Sequence, residues 1–194
     1  MRLERLEATQ RPEKLKAVFD GETLTVSASL CVQFSLCAGM ELDEEAFSAL
    51  KAAVAKEVAR ERAVRILTAS AVSERELEKR LVQKGTLPAD AADAVAWLKE
   101  HRFLDDAATA AQLVDSAVRK GYGRARVKNI LYEKGIPKDL WEEALARIPA
   151  MDDAIDRFLA AKLRGRTADE KTIKKTVDAL LRRGFSYGEI REAL

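Results

Sequence analysis

Apolar side chains recur at three- and four-residue intervals through most of this chain, a spacing that predicts amphipathic helices. The clearest stripe is Phe47, Leu50 and Val54, within a helix predicted from about residue 43 to 70. Two further helices of the same kind are predicted at about 106–119 and 151–163. The pattern therefore favours a mainly helical protein.

The first thirty residues follow a different pattern. Two short β-prone runs, at 15–19 and 23–26, flank Asp20 and Gly21. Asp-Gly between two such runs predicts a β-hairpin, because Gly tolerates the positive φ of a tight turn. An isolated hairpin is only marginally stable in water, so it should pack on a helix or pair with another segment. From Ala28 onward a helix is predicted, which would carry both cysteines and end near Gly39.

One pattern occurs three times in the second part of the chain. A Leu precedes a Gly by four residues, a Lys or Arg stands directly before that Gly, and an Ala followed by Val or Leu comes nine residues after it. The glycines are Gly85, Gly135 and Gly184, and they lie 50 and 49 residues apart. In physical terms, a helix ends on a cation that its dipole favours, and Gly takes the left-handed position beyond. A fixed period of this kind indicates tandem repeats rather than coincidence in an ordinary bundle.

We therefore predict a mainly α protein of three tandem three-helix repeats, which would stack into an elongated, curved solenoid. The repeats are predicted at 57–104, 105–149 and 150–194. An N-terminal extension, residues 1–56, holds the hairpin and further helices.

Composition excludes several classes of protein. The chain has 194 residues, 34% of them charged and only 6% aromatic, with a net charge of +2. It contains no apolar run near the roughly 18 residues that span a bilayer, and its start lacks a signal-peptide core. Cys31 and Cys37 are too few for a disulfide framework, and we expect buried free thiols. A cytoplasmic location fits best. We expect no metal site, no cofactor and no catalytic residues, since no motif for them occurs.

The small net charge hides an uneven distribution. Residues 1–60 carry a net −2 and residues 61–110 a net −1, whereas 111–150 carry +3 and 151–194 carry +2. Two groups of cations stand out as candidate contacts for phosphate or an acidic protein surface. The first group is Arg119, Lys120, Arg124, Arg126 and Lys128, and the second is Lys162, Arg164, Lys174 and Lys175.

Cations at the start of a helix oppose its dipole, and this local conflict suggests a use beyond stability. The helix-start amides that follow Gly123 could join the same anion site. The alternative is an ordinary solvated basic face. Nearby aromatic residues could stack on bases, although such residues more often pack turns. They are Tyr122, Phe185 and Tyr187, while Trp97, Phe103, Leu104 and Trp141 are expected in the core.

Four stretches of the chain resemble the RecX family, bacterial regulators of the recombinase RecA. They are residues 73–85, 103–106, 123–136 and 182–190, and they follow in family order. The resemblance covers roughly residues 60–194, and the N-terminal part looks like an extension found in some members.

The resemblance implies three tandem three-helix repeats without a catalytic site. It further implies binding along the groove of the RecA–single-stranded DNA filament, with inhibition of ATPase and strand exchange. We expect the protein to be a monomer. The residues themselves leave a second hypothesis open. The net +5 of residues 111–194 suits a helical module that binds single-stranded nucleic acid directly, without RecA.

Overall fold

A computed structural model of the protein describes residues 1–149, 152–163 and 169–193. The strands are β1 (Leu3–Ala8), β2 (Lys14–Phe19) and β3 (Glu22–Ser27). The helices are α1 (Ala28–Gln33), α2 (Glu44–Ala69), α3 (Glu74–Gln83), α4 (Pro88–Glu100), α5 (Asp106–Arg119), α6 (Arg124–Glu133), α7 (Trp141–Ala146), α8 (Asp152–Leu163), α9 (Glu170–Arg182) and α10 (Tyr187–Glu192). A short 3₁₀ turn, Lys138–Leu140, precedes α7.

The chain forms two compact units, which are described separately. The first unit consists of Met1–Arg65 and Arg80–Glu100, and the second of Ile66–Lys79 and His101–Leu194. Within the described residues, no helix has the length and apolar character needed to cross a membrane.

The first unit contains the predicted hairpin, β2 and β3, with Gly21 at φ +80° in its turn. A third strand, β1, pairs antiparallel with β2 and was not predicted. Its leucines, Leu3 and Leu6, stand three residues apart and break the alternation expected of a strand. A register shift between Leu3 and Arg5 lets both leucines pack on the same core, because an irregular pair locally offsets the alternation.

The sheet covers the first half of α2 through a core of large side chains. The rings of Phe19 and Phe47 meet edge to face, with centroids 4.9 Å apart, and Leu50 is fully buried beside them. The helix predicted to include both cysteines is shorter than expected. It ends at Gln33, and Ser35 adopts a positive φ of 50°. Cys37 is consequently exposed and Cys31 only half-buried, so the prediction of two buried thiols was wrong.

The three repeat glycines end α3, α6 and α9 in the left-handed conformation, as predicted. The N–H of the residue that follows each glycine donates to the carbonyl of the Leu that lies four residues before the glycine. The donor–acceptor pairs are Thr86 to Leu81 at 3.1 Å, Ile136 to Leu131 at 3.0 Å, and Phe185 to Leu180 at 3.3 Å. This is the hydrogen bond of a Schellman motif, in which the residue after the glycine also packs back on the helix. The motif explains why Leu and Gly keep their spacing in all three repeats.

In the second unit, two helix ends meet the start of another helix. At the C-terminus of α9, the carbonyls of Arg183 and Gly184 accept from the N–H groups of Gly123 (2.8 Å) and Ala125 (3.1 Å), at the start of α6. At the C-terminus of α6, the Lys134 carbonyl accepts from the Ser73 hydroxyl at 2.5 Å, just before α3. Each contact joins the negative end of one helix to the positive end of the next.

Because Ser73 joins α6 to the start of α3, we expect a Ser73→Ala variant to be less stable than the wild type. Ser73 is fully buried, and its hydroxyl both donates to the Lys134 carbonyl and accepts from the Glu76 N–H at 3.1 Å. Losing a helix cap and a buried hydrogen bond should lower the free energy of unfolding by about 2 kcal/mol in urea titrations. Ser186→Ala is the matched control, because Ser186 caps α10 only locally. An equal loss in both variants would mean that the Lys134 contact contributes nothing.

Candidate partner-binding surface

The first group of predicted cations lies on α5, α6 and the turn that joins them. Arg119 is the last residue of α5, Lys120 caps it, and Arg124 begins α6. Arg119, Lys120, Arg124 and Lys128 are exposed, whereas Arg126 is half-buried. The structure therefore presents four of these five cations to solvent.

One exposed line of α6 combines cations with an aromatic ring. Arg124, Lys128 and Tyr132 follow at four-residue intervals, which places them side by side on the helix surface. The ring of Tyr132 is 72% exposed, although a side chain of this size usually packs. Sequence reasoning did not select Tyr132, but its spacing from Lys128 was the available signal.

Arg126 differs from its neighbours because it already has partners. Its Nη1 lies 3.2 Å from Oε1 of Glu133, the last residue of α6. Its backbone lies against Gly184, at the contact between α9 and α6. Arg126 is therefore less available for a partner than Arg124, whose hydrogen bond to the Leu145 carbonyl is long at 3.4 Å.

The carboxylate nearest to Arg119 in the helix is already occupied. Asp115 accepts two hydrogen bonds from Arg147, from Nη2 at 2.9 Å and from Nε at 3.3 Å. These bonds, with a smaller contribution from the charge of Arg119, lower the pKa of the Asp115 carboxyl below its usual range. Asp115 is therefore ionised at neutral pH and held by Arg147, and Arg119 keeps an exposed charge.

The start of α6 is not an open anion site, contrary to expectation. The N–H groups of Gly123 and Ala125 are used by the carbonyls at the end of α9. This contact also resolves the conflict between the cations and the dipole, since the negative end of α9 faces the positive end of α6. An anion here would meet side chains, without the amides of Gly123 and Ala125.

Arg183 supports the same contact from the other side. Its Nη1 donates to the carbonyls of Lys120 at 3.0 Å and Gly121 at 3.4 Å, at the end of α5. Its guanidinium lies 4.8 Å from the Phe158 ring centroid and 6.0 Å from that of Tyr122. This cation holds α5 and α9 together through contacts within the protein.

The candidate stacking residues separate by burial. Phe185 is 3% exposed and belongs to the core of the third repeat. Tyr122 is half-buried and packs against the core of the second repeat. Tyr187 is 66% exposed. Phe103, expected in the core, is instead 62% exposed, because the turn before Leu104 leaves its ring on the surface while Leu104 is buried.

The second group of cations is separate from the first. Lys162 is exposed on α8, where its Nζ lies 5.9 Å from the Phe158 ring centroid, and Lys174 and Lys175 are exposed on α9. Arg164 lies outside the described residues. Lys174 precedes Gly184 by ten residues. At the rise of an α-helix this places Lys174 about 15 Å from Gly184, the residue that contacts the start of α6. The described residues include no group of three or more side chains that could hold a metal ion.

Three family models match this chain in sequence order. They are the first, second and third three-helix domains of RecX, at residues 59–98, 105–145 and 152–194. Regulatory protein RecX of Escherichia coli K12 is 34% identical over 146 residues, which cover 68% of this chain and 87% of that protein. The chain belongs to the RecX family. The fold prediction of a mainly α protein with three three-helix domains and a small N-terminal β/α part is confirmed.

Other RecX proteins also match this chain in sequence or in fold. Regulatory protein RecX of Vibrio parahaemolyticus is 33% identical over 126 residues, 61% of this chain and 78% of that protein. A crystal structure of regulatory protein RecX superposes with a TM-score of 0.74 at 22% identity, covering 99% of this chain and 98% of that one. A crystal structure of RecX from Lactobacillus salivarius superposes with a TM-score of 0.60 at 20% identity, covering 73% of this chain and 95% of that one. By name RecX proteins are regulators, and these matches indicate no catalytic activity.

Proposed function

We propose that this RecX protein regulates RecA by binding in the groove of the RecA–single-stranded DNA filament and suppressing its ATPase and strand exchange. The observation that carries the proposal is the match of all three helical domains to RecX models in order. The relatives named as regulatory protein RecX support a regulatory role rather than catalysis.

The exposed cations of α5 and α6 are the proposed contact surface. Arg119, Lys120, Arg124 and Lys128 would meet the carboxylates of RecA or the phosphates of DNA. Tyr132, on the same line of α6, suits an exposed base, since aromatic rings stack on bases of any sequence. Lys162, Arg164, Lys174 and Lys175 form a second proposed contact in the third repeat.

The proposal extends to organisation and location. We propose an N-terminal extension at 1–56, repeats at 57–104, 105–149 and 150–194, and a monomer that acts in the cytoplasm without a cofactor. The matched ranges of the family models, each inside one proposed repeat, support this division.

The direct test is the DNA-dependent ATPase of RecA. Adding the full chain to preformed filaments, from substoichiometric to equimolar amounts, should lower ATP hydrolysis and strand exchange. The assay should be repeated with single-stranded DNA in excess over all protein. Inhibition that persists there comes from the filament, because competition for DNA is relieved. Inhibition that disappears would support direct DNA binding instead, and no change in either assay would refute both mechanisms.

A further inference from the structure

A groove in the first unit lies between the sheet and the later part of α2. Its volume is about 570 Å³, and the loop after β1, the strands β2 and β3, and α2 line it. Small-molecule sites typically measure roughly 300–1,000 Å³, so a ligand of moderate size fits. The groove is formed by the N-terminal extension and α2, and it includes none of the cations proposed to contact RecA.

The groove collects positive charge in an otherwise acidic part of the sequence. Its walls carry Arg11, Lys14, Arg62 and Arg65 against one carboxylate, Glu61. Residues 1–65, which include the whole lining, have a net charge of −1. Arg11 and Lys14 come from one end of this stretch and Arg62 and Arg65 from the other, so the fold brings the cations together.

Lys14 and Glu61 account for one charge of each sign. Lys14 is buried, with a relative exposure of 6%, and its Nζ contacts Glu61 and lies 3.7 Å from Oε1 of Glu57. Burial of a lysine requires such partners. The lining as a whole carries four cationic side chains and one carboxylate, and three of the four cations are arginines.

Arg62 is held in a fixed orientation by the chain itself. Its Nη1 donates to the Lys84 carbonyl at 3.0 Å and to the Thr86 hydroxyl at 2.7 Å. A guanidinium has five N–H donors, and within the described residues the Nε and Nη2 donors of Arg62 reach no acceptor. Arg65 follows three residues later on the same helix face. This part of the groove is thus ordered before a ligand arrives, which reduces the entropy lost on binding.

We propose that this groove binds phosphate groups, supplied by a free nucleotide or by a nucleic-acid backbone. The planar guanidinium matches a phosphate with paired hydrogen bonds, and three of them suit a ligand that carries several negative charges. The exposed Thr25 side chain on β3 adds a hydroxyl to the lining. The groove would give this RecX protein an anion site between its N-terminal extension and its first repeat, away from the cations of the second and third repeats.

The test measures phosphate binding by the full chain with RecA absent. A labelled short oligothymidylate is titrated by fluorescence anisotropy, and ATP by calorimetry, both at low salt. In Arg11→Gln/Arg65→Gln the Kd should rise about tenfold or more, because two charge-assisted contacts are lost. For the oligonucleotide, the slope of log K against log salt should decrease by about 1.4. Binding of ATP would identify a nucleotide site, and binding of the oligonucleotide alone a backbone site.

The matched control is Lys51→Gln/Lys56→Gln. It removes the same number of positive charges, both from α2, the helix that carries Arg65, and its two exposed lysines do not line the groove. Wild-type affinity in this control, with weakened binding in the groove variant, supports the site. Equal affinity in the two variants, or no binding of either ligand by the wild type, overturns it. Should the double variant melt early by circular dichroism, Arg11→Gln alone, on an exposed loop, replaces it. Because RecA is absent, the outcome is independent of the proposed regulation.

Discussion

Replacing Gly184 with Ala should destabilise this RecX protein by about 3 kcal/mol or more, the largest stability effect that we expect from a single methyl group. Two costs combine. Gly184 has a φ of +90°, which a Cβ disfavours by about 1–2 kcal/mol. The added Cβ would also overlap the backbone nitrogen of Arg126 and lie 2.6 Å from its Cβ. Backbone cannot rotate away as a side chain can, so α9 and α6 would have to separate.

Gly85→Ala separates these two costs. Gly85 has a similar φ of +82°, but no atom lies within 4 Å of an added Cβ. The free energy of unfolding of Gly85→Ala should therefore fall only by the cost of the backbone conformation, about 1–2 kcal/mol. Urea unfolding followed by circular dichroism measures both variants. Equal losses would show that the close contact between Gly184 and Arg126 is absent in solution.

Gly123→Ala approaches the same contact from α6. Its φ is ordinary, so strain of the backbone conformation plays no part. An added Cβ would nevertheless lie 2.5 Å from the Gly184 carbonyl carbon and 2.6 Å from the Phe185 nitrogen. Glycine is thus required on both sides of this contact, for close approach at Gly123 and for close approach and φ at Gly184.

The sequence was sufficient to predict the repeat because each of its features is local. Leu81 and Gly85, with their counterparts, define a helix end within five residues, and such ends follow from hydrogen bonding alone. The docking of one helix end on another is not local. Gly123 and Gly184 lie 61 residues apart, and neither position alone indicates that their backbones meet. The strand β1 was missed for a related reason, since its irregular pairing hides the alternation of Leu3 and Leu6.

The candidate surface was predictable only in part. The exposure of Arg124 and Lys128 follows from their residue type, because cationic side chains are rarely buried, even beside the buried Val127 and Leu131. The availability of each charge does not, because it depends on distant partners such as Arg147 for Asp115. The cationic groove of the first unit depends on bringing Arg11 beside α2, a contact across about fifty residues of sequence.

The largest functional effect is expected from Arg119→Ala/Arg124→Ala/Lys128→Ala. These three cations are exposed, and none forms an ion pair with another described residue. Arg126 is left in place because it pairs with Glu133 and lies at the contact with α9. The variant should need about tenfold more protein, or greater, for half-inhibition of RecA ATPase, since several charge-assisted contacts are lost. Its unfolding free energy should stay within about 0.5 kcal/mol of wild type.

A matched triple variant makes this result specific to the surface. Lys16→Ala/Lys51→Ala/Lys56→Ala removes the same charge from the first unit, where each lysine forms an exposed ion pair and Lys51 also lies 4.8 Å from the Phe47 ring centroid. It should inhibit RecA like the wild type. If both triple variants lose the same potency, net charge and not this surface governs binding. If neither loses potency, the contact lies elsewhere, and Lys162→Ala/Lys174→Ala/Lys175→Ala in the third repeat is then the variant expected to lose it.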